Sequence, residues 1–318
     1  MVHADEVKIQ VEAAVLGGPE LAALDAGRRV PGGAAVGRVI AVGEAAAHLD
    51  GKRVLCGPFS ACGECGVCRR GVPAGCPARV RLGIDVDGAF AGEVTTRARW
   101  LLALDGPLEG ALPGPEVAAL PREAALAYEM LTRAGVAPGE TTLWLGGGAV
   151  AAFGVALARS KGAAAFEPTA EELALAPDDL VAACRARAAA EAQAPVDLPW
   201  RVFEVSARPV SRGLAAALVG PGATLALATA EAVGGPGGGG RELAEALAGD
   251  VTVLAVAGAH PDLYAELAAL AIRGELDLAS AVEIHPREAQ DTLPGRLRRG
   301  ELTRLPIVRF PQDPHRDR

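Results

Sequence analysis

The 318-residue sequence predicts an α/β protein with two parts, an antiparallel β domain followed by a doubly wound parallel sheet. Two observations carry this prediction. Residues 1 to about 115 contain short β segments between glycine and proline turns, among them EVKIQVEAAV, AAVGRVIAVG, KRVLCG and GEVTTRARWLLAL. From residue 118 onward, helical segments alternate with short apolar segments, which is typical of strands and crossover helices in a mostly parallel sheet.

The second part begins with the amphipathic helix AALPREAALAYEMLTRAGV and continues with a strand, a glycine turn and a helix in ETTLWLGGGAVAAFGVALARSKGA. The pattern then predicts strands in PWRVFEVSA, GATLALATA and DVTVLAVAGA, and helices in VSRGLAAALVG, GRELAEALAG and PDLYAELAALAIRGEL. We expect the glycine-rich piece Gly234–Gly240 to be a surface loop rather than a phosphate cradle, because the helix begins only after it.

Composition and charge restrict the class of partner. The formal net charge is −8 at pH 7, so a nucleic-acid or anionic-membrane surface is not expected and a small molecule is favoured. No run approaches the roughly 18 to 20 uninterrupted apolar residues that cross a bilayer. The first residues, MVHADEVKIQVEAAV, lack the basic start and apolar block of a secretory signal, so we expect a cytoplasmic protein.

Four of the six cysteines lie close together in ACGECGVCRRGVPAGC. Cys62, Cys65 and Cys68 are separated by two residues each, and Cys76 follows after seven more. Four thiolates on a glycine-bearing loop can close a tetrahedral Zn²⁺ site without a vacancy for substrate, so the spacing predicts one structural zinc ion. Reduced thiols without a metal and an iron–sulfur cluster are the alternatives.

This cysteine segment, within GKRVLCGPFSACGECGVCRRGVPAGCPARVRLGIDVDGAFAGEV, resembles the structural-zinc lobe of the medium-chain dehydrogenase/reductase family, of the zinc alcohol dehydrogenase type. AGVAPGETTLWLGGGAVAAFGVALARSKGA is similar to the start of that family's cofactor domain. The ending, from LAALAIRGEL to LPIVRF, is weakly similar to its C-terminal return.

The resemblance implies a GroES-like β domain over residues 1–115, with a zinc lobe at 56–80, and a Rossmann domain over 116–282. Residues 283–318 would return to the β domain, and a homodimer or homotetramer is expected. The family normally has a further β segment before the one that resembles ADEVKIQVEAAV, so we expect an abbreviated β domain or a misassigned start.

A dinucleotide-binding pattern lies in LWLGGGAVAAF. Gly146, Gly148 and Ala151 follow a predicted strand and open a helix, as the tight turn and the helix N-terminus of a pyrophosphate site require. Glu167 lies 19 residues after Gly148 and is expected to bind a ribose 2′-hydroxyl, which favours NAD(H) over NADP(H). An empty glycine turn, with Glu167 simply beginning the helix TAEELALA, is the alternative.

Zinc members of the family hold a second, catalytic zinc ion, and its ligands are replaced in this sequence. The resemblance places Gly17 at the cysteine ligand, Gly33 and Ala34 at the histidine and glutamate of the family's GHE motif, and Arg122 near the remaining acid. Pro19 stands at the position of the proton-relay hydroxyl. The five histidines show no paired ligand spacing, so we expect no catalytic zinc ion.

Hydride transfer to or from nicotinamide does not itself require a metal. The candidates for substrate contact are Tyr128, Glu129, Arg122 and Glu20, each of which has a plain structural alternative as a half-buried, solvated or helix-capping residue. We therefore expect an NAD(P)(H)-dependent oxidoreductase acting on a small carbonyl, alcohol or activated C=C substrate. A catalytically degenerate binding or accessory protein is the alternative, and an ordinary zinc alcohol dehydrogenase is the least favoured.

Overall fold

The computed structural model describes residues 2–27, 30–108, 110–192, 201–229 and 250–311. The chain forms two compact units. Unit 1 comprises the described residues of Met1–Ala125 and Ala259–Arg318, and unit 2 those of Leu126–Gly258. The predicted domain bounds at 115 and 282 stay a prediction. The segment Gly234–Gly240, the helix predicted in GRELAEALAG and His315 lie outside the described residues.

Unit 1 contains a seven-stranded sheet in the order β13-β14-β1-β2-β3-β7, with β6 also paired to β1. All of its pairs are antiparallel except β13 with β14. Two short strands, β4 and β5, form a separate antiparallel pair. The strands of unit 1 are β1 (Glu6–Val15), β2 (Ala34–Val42), β3 (Arg53–Cys56), β4 (Phe59–Ser60), β5 (Val80–Arg81), β6 (Glu93–Arg97), β7 (Leu101–Ala103), β13 (Val282–Pro286) and β14 (Leu305–Arg309).

The long strand β1 organises this sheet because it pairs with β14, β2 and β6. Its side chains alternate, so that Val7, Ile9 and Val11 are fully buried on one face of the sheet. Strand β14 lies opposite its end, with Ala13 facing Arg309. The last described strand of the chain therefore packs in the same sheet as the first.

The helices of unit 1 are short, and one carries a distorted turn. Leu120–Ala124 forms a π-helical turn that is buried throughout and leads into the next helix. Such turns occur frequently at functional sites, because they re-aim side chains relative to a regular helix. The helices of unit 1 are α1 (Gly18–Asp25), α7 (Asp262–Ile272) and α8 (Leu293–Arg298), and α2 (Ala125–Ala134) belongs to unit 2 from Leu126 onward.

Unit 2 is a parallel five-stranded sheet in the order β12-β11-β10-β8-β9. The chain turns back between β8 and β10, which is the topological switch point at which doubly wound sheets bind ligands. Every residue of β8 and of β11 is buried, as expected for central strands covered on both faces. The strands are β8 (Thr141–Leu145), β9 (Ala164–Phe166), β10 (Arg201–Glu204), β11 (Thr224–Ala228) and β12 (Thr252–Val256).

The helices of unit 2 connect these strands as crossovers. They are α3 (Gly148–Ser160), α4 (Ala170–Leu173), α5 (Pro177–Ala192) and α6 (Pro209–Leu218). Between Phe166 and Ala192 the described chain forms α4 and α5 and no strand, whereas the full dinucleotide-binding sheet has a further strand beyond β9.

The predicted fold class is confirmed: an antiparallel β domain is combined with a doubly wound parallel sheet. Among the described helices, none is long and apolar enough to cross a membrane.

Candidate functional site

The four clustered cysteines lie on the loop between β4 and β5. All four sulfur atoms lie within 4.8 Å of one another. The Sγ–Sγ distances are 3.6 Å between Cys62 and Cys76, 3.9 Å between Cys62 and Cys68, and 3.9 Å between Cys65 and Cys76. A tetrahedral zinc ion with Zn–S bonds of about 2.3 Å separates its sulfur ligands by about 3.8 Å. The cysteine cluster therefore has the donor set and the spacing that a tetrahedral metal ion requires.

Backbone N–H groups favour the thiolate form of two of these cysteines, Cys62 and Cys65, by lowering their pKa values. The N–H groups of Cys65 and Cys68 donate to the sulfur atoms of Cys62 and Cys65, at 3.4 and 3.5 Å. Backbone N–H groups, from Glu64 and Cys65, lower the pKa of Cys62 to about 6. Burial and the hydrogen bond with Cys65 raise the pKa of Cys68 to about 12. Four thiolates at this spacing repel one another, so full ionisation requires a bound cation.

The base of the cysteine loop is fixed to unit 1 by two side chains. The indole Nε1 of Trp100 donates to the carbonyl oxygen of Ala61 at 2.8 Å, and Nη1 of Arg99 donates to that of Cys62 at 2.9 Å. Trp100 also packs against Phe59, with ring centroids 5.9 Å apart. These contacts hold the backbone at the start of the loop, next to Cys62.

The glycine turn after β8 has the backbone that the dinucleotide pattern requires. Gly146, Gly147 and Gly148 have φ values of 115°, 67° and 74°, a region that side-chain-bearing residues rarely adopt. A Cβ atom on Gly146 would lie 2.7 Å from the backbone nitrogen of Ser206. Helix α3 begins at Gly148, and Ala151 is fully buried within it. The turn thus leaves the helix N-terminus open to an anion such as a phosphate.

A cavity of about 360 Å³ lies beside this turn in unit 2. Its lining includes Gly146, Gly147, Glu167, Ser206 and Arg208. The structure therefore brings the predicted residues Gly146 and Glu167 to one cavity, while Gly148 and Ala151 belong to the helix that starts there. The glycine turn and this cavity fit a dinucleotide.

Glu167 follows β9 directly and does not begin a helix. Helix α4 begins at Ala170, and Thr169 caps it by accepting a hydrogen bond from the backbone of Glu172 at 3.1 Å. The alternative that Glu167 begins this helix is therefore wrong. Burial raises the pKa of Glu167, against the nearby charge of Arg187. Arg187 donates to the backbone oxygen of Glu167 at 2.7 Å, and Glu167 is one of the residues that line the cavity.

A buried carboxylate holds Ser206, one of the residues that line the cavity. Glu204 is fully buried at the end of β10, and it accepts hydrogen bonds from Ser206 Oγ at 2.6 Å and from the backbone of Ser206 and Ala207 at 2.8 and 3.1 Å. Ala207 has a φ of 52°, a strained value for a residue with a side chain. Sequence reasoning missed Glu204, although a glutamate ending an apolar strand before the polar run SAR was a usable signal.

A buried ion cluster occupies the region of the predicted catalytic-zinc positions in unit 1. Arg122 Nη1 donates to Glu20 Oε2 at 2.6 Å, and Arg122 Nε lies 3.2 Å from Glu123 Oε1. Glu20, Arg122 and Glu123 expose 1%, 8% and 5% of their surfaces. We call these three residues the ion cluster. The interpretation of Arg122 as a solvated helix charge is therefore wrong, because the π-helical turn points its side chain inward.

The ion cluster lies against the two glycines that stand at predicted ligand positions. A Cβ atom on Gly17 would lie 2.5 Å from Arg122 Nη2, and one on Gly33 would collide with Glu20 Oε1. Glu20 also accepts a hydrogen bond from the backbone N–H of Gly17 at 2.9 Å, so its expected capping role is present as well. None of Gly17, Gly33 and the neighbouring Ala34 has a ligand atom, and Arg122 is a cation. This set does not fit a metal ion.

Tyr128 and Glu129 lie on α2 in unit 2, where Tyr128 is engaged by a lysine. Lys161 Nζ donates to the Tyr128 hydroxyl at 3.3 Å and lies 4.6 Å from the centre of its ring. Tyr128 is 3% exposed, so it is more buried than the expected half-buried helix residue. Among the described residues, one group of three or more histidine, cysteine or acidic side chains has the spacing to hold a metal ion, and that group is the cysteine cluster.

Comparisons with known proteins agree on one family. Residues 3–106 match the model of the alcohol dehydrogenase GroES-like domain. L-galactonate-5-dehydrogenase of Escherichia coli (strain K12) is 30% identical over 136 residues, which cover 42% of this chain and 38% of that relative. The fold matches galactitol-1-phosphate dehydrogenase from Escherichia coli with a TM-score of 0.81, at 17% identity, over 98% of this chain and 94% of that one. Residues 3–106 therefore form a GroES-like domain of the alcohol dehydrogenase type, and these comparisons support the predicted resemblance to the medium-chain dehydrogenase/reductase family.

A further structure supports the same fold for the whole described chain. An NAD-dependent alcohol dehydrogenase matches with a TM-score of 0.74, at 19% identity, over 98% of this chain and 93% of that one. By sequence, the matched region spans well under half of the length of the curated relative named above. The GroES-like domain and the dehydrogenase fold are thus shown, and the cysteine cluster has the spacing to bind a metal ion.

Proposed function

We propose that this chain is an NAD(P)(H)-dependent oxidoreductase of the medium-chain type that transfers hydride without a catalytic zinc ion. The observation that carries the proposal is the glycine turn after β8, which opens onto a cavity lined by Gly146, Gly147 and Glu167. Backbone N–H groups at the start of α3 would bind the pyrophosphate, and the Glu167 carboxylate would accept hydrogen bonds from a ribose. When bound, the nicotinamide supplies or accepts the hydride.

The carboxylate of Glu167 favours NAD(H), because it would repel a 2′-phosphate at the ribose. Arg208 lines the same cavity and is the feature that would favour NADP(H). We place the preference with NAD(H), since Glu167 directly follows β9, the strand whose end contacts the ribose in the doubly wound fold.

The substrate class follows from the relatives. One is named for L-galactonate oxidation and another for galactitol 1-phosphate. We propose a small polyol, sugar acid or corresponding carbonyl compound, with an activated C=C substrate as the remaining option. Negative charge on the substrate oxygen requires a cation or hydrogen-bond donors. Arg122 is the candidate for this role in unit 1, supported by its position among the predicted ligand residues.

We also propose one structural zinc ion on Cys62, Cys65, Cys68 and Cys76, a homodimer or homotetramer, and a cytoplasmic location. The zinc proposal is supported by Sγ–Sγ distances of 3.6 to 3.9 Å. The described cysteines are free thiols, which suits a reducing compartment. Zinc bound to four thiolates would hold the loop between β4 and β5 and would have no open position for substrate.

The alternative is a catalytically degenerate member that binds a nucleotide or a partner without turnover. One observation favours it: Arg122 is neutralised by two carboxylates, so the ion cluster could be purely structural. Catalytic turnover of a substrate with a nicotinamide cofactor would distinguish the oxidoreductase from this degenerate binding protein.

The experiment is a panel of polyols, sugar acids and their keto forms, assayed in both directions with NAD(H) and NADP(H). We expect turnover with at least one pair, and loss of at least tenfold of that activity in Gly146→Ala, because the new Cβ atom would meet Ser206. The control is Gly51→Ala, a glycine of positive φ in unit 1 with open space around it. Binding of nicotinamide without turnover on the whole panel would support the degenerate alternative.

A further inference from the structure

The ion cluster lies against Gly17 and Gly33, two positions that the resemblance assigns to ligands of a catalytic metal ion. We propose that the guanidinium of Arg122 is the resident cation of this site, held by Glu20 and Glu123, and that the site excludes divalent metal. This inference rests on the proposed function and extends it. It names the group that carries the positive charge at the position where relatives of the zinc type would bind a metal.

The ion cluster leaves little space for a side chain at Gly17 or Gly33. Gly17 has no side chain, and any Cβ atom there would lie 2.5 Å from Arg122 Nη2 and 3.0 Å from Arg122 Cζ. At Gly33 a Cβ atom would collide with the Glu20 carboxylate and lie 3.1 Å from Arg122 Nη1. Neither glycine has a positive φ, so its backbone does not require glycine. The two glycines are instead needed to accommodate Arg122 and Glu20.

The charges of the ion cluster also oppose a divalent cation. Glu20 and Glu123 flank Arg122, and all three side chains expose less than a tenth of their surface. Burial without partners would be costly for each of these charges, and each finds an opposite charge in the ion cluster. A divalent cation placed between them would have to approach a fixed guanidinium in a poorly solvated site. Coulomb repulsion and the lack of ligand atoms at positions 17, 33 and 34 both oppose this.

The ion cluster joins segments that are far apart in the sequence. Glu20 lies in α1 and Arg122 in the π-helical turn Leu120–Ala124, 102 residues apart in sequence. Glu20 also accepts from the backbone of Gly17, so one carboxylate joins Arg122 to the start of α1. The ion cluster therefore links the segments that a metal ion and its ligands would otherwise join.

Metal content is the direct test. The full-length protein is loaded with Co²⁺ or Zn²⁺, dialysed and measured for metal per chain, together with the double variant Cys62→Ser/Cys65→Ser and with Glu20→Gln. We expect one metal per chain in the wild type and in Glu20→Gln, and none in the cysteine variant. A second metal in the wild type that is lost in Glu20→Gln would overturn the proposal.

Restoring ligands tests the role of Arg122 separately. Gly17→Cys/Gly33→His should gain no metal, because Arg122 still occupies the site, whereas the triple variant that adds Arg122→Glu should bind one additional Co²⁺ with a thiolate charge-transfer band. Equal uptake by the double and triple variants would overturn the inference. If neither variant folds, the wild-type metal measurement still decides it.

A stability measurement and a nicotinamide titration complete the design. Arg122→Met should lower the melting temperature more at pH 8 than at pH 5, because the buried Glu123 carboxylate loses the guanidinium 3.2 Å away. Arg38→Met, at an exposed arginine of β2, should not. Equal effects of the two variants would overturn the proposal. NADH titration of the same samples reports on the proposed function separately, so its failure leaves the metal result intact.

Discussion

Glu123 makes a sharp prediction about how the stability of this protein depends on pH. It is 5% exposed, its Oε1 lies 3.2 Å from Arg122 Nε, and its Oε2 has no hydrogen-bond partner among the described residues. Burial and the nearby charge of Glu20 raise the pKa of Glu123 from 4.5 to about 7, against the attraction of Arg122. The folded protein therefore holds this proton at a pH where the unfolded chain has lost it.

The sign and size of the effect follow from linkage. Below about pH 4.5 Glu123 is protonated in both states and costs no stability, and between about pH 4.5 and 7 the cost of its ionisation grows. A shift from 4.5 to about 7 corresponds to about 3 kcal/mol. Glu123→Gln removes the titration but keeps an oxygen that can accept from Arg122. We expect the variant to match the wild type near pH 4.5 and to be more stable by about 3 kcal/mol at pH 8.

The assay is urea or thermal unfolding of wild type and Glu123→Gln at several pH values from 4.5 to 8, with metal content held equal. Glu44→Gln, at an exposed turn, is the matched control and should show no pH-dependent difference. A wild type that is as stable as Glu123→Gln at pH 8, or a difference that does not change with pH, would refute the reasoning.

Three further predictions concern the cysteine cluster, the cofactor cavity and the packing of α3. Cys68→Ser should lower metal content from one to near zero per chain, and chelation of the wild type should lower its melting temperature, as metal analysis and calorimetry would show. Glu167→Gln should weaken NADH binding about tenfold, because a charge-assisted hydrogen bond to the ribose of about 1.5 kcal/mol is lost. NADPH binding should be unchanged or stronger. Equal losses for both cofactors would argue against contact between Glu167 and the ribose. Gly154→Ala should destabilise the protein by about 1 to 3 kcal/mol in urea unfolding, because its Cβ atom would meet the buried Trp144 ring, and a stabilised variant would contradict this packing.

The features that sequence predicted well depend on residues close together in the chain. The cysteine cluster arises from four cysteines on one loop, and the glycine turn from a strand, three glycines and a helix in succession. Local spacing fixes the geometry in both cases, because a few backbone torsions connect the interacting groups. The alternation of strands and helices in unit 2 is also a local pattern, and the fold class was predicted from it.

The features that sequence could not predict depend on long-range packing or local irregularity. Glu20 and Arg122 meet across 102 residues, and no periodicity signals that an apparently solvated arginine turns inward at a π-helical turn. Glu123 shares that turn and was not singled out, since its burial depends on the same irregularity. The sequence also did not predict that the described chain between Phe166 and Ala192 forms α4 and α5 and no strand.

The central claim is that this chain binds a nicotinamide dinucleotide at the glycine turn after β8. Its most direct test is titration of the purified protein with NADH and with NADPH, followed by calorimetry or nicotinamide fluorescence, for wild type and Gly146→Ala. We expect saturable binding with NADH preferred over NADPH, and at least tenfold weaker binding in Gly146→Ala. Absence of binding of either nucleotide at millimolar concentration, or equal binding by the variant, would contradict it.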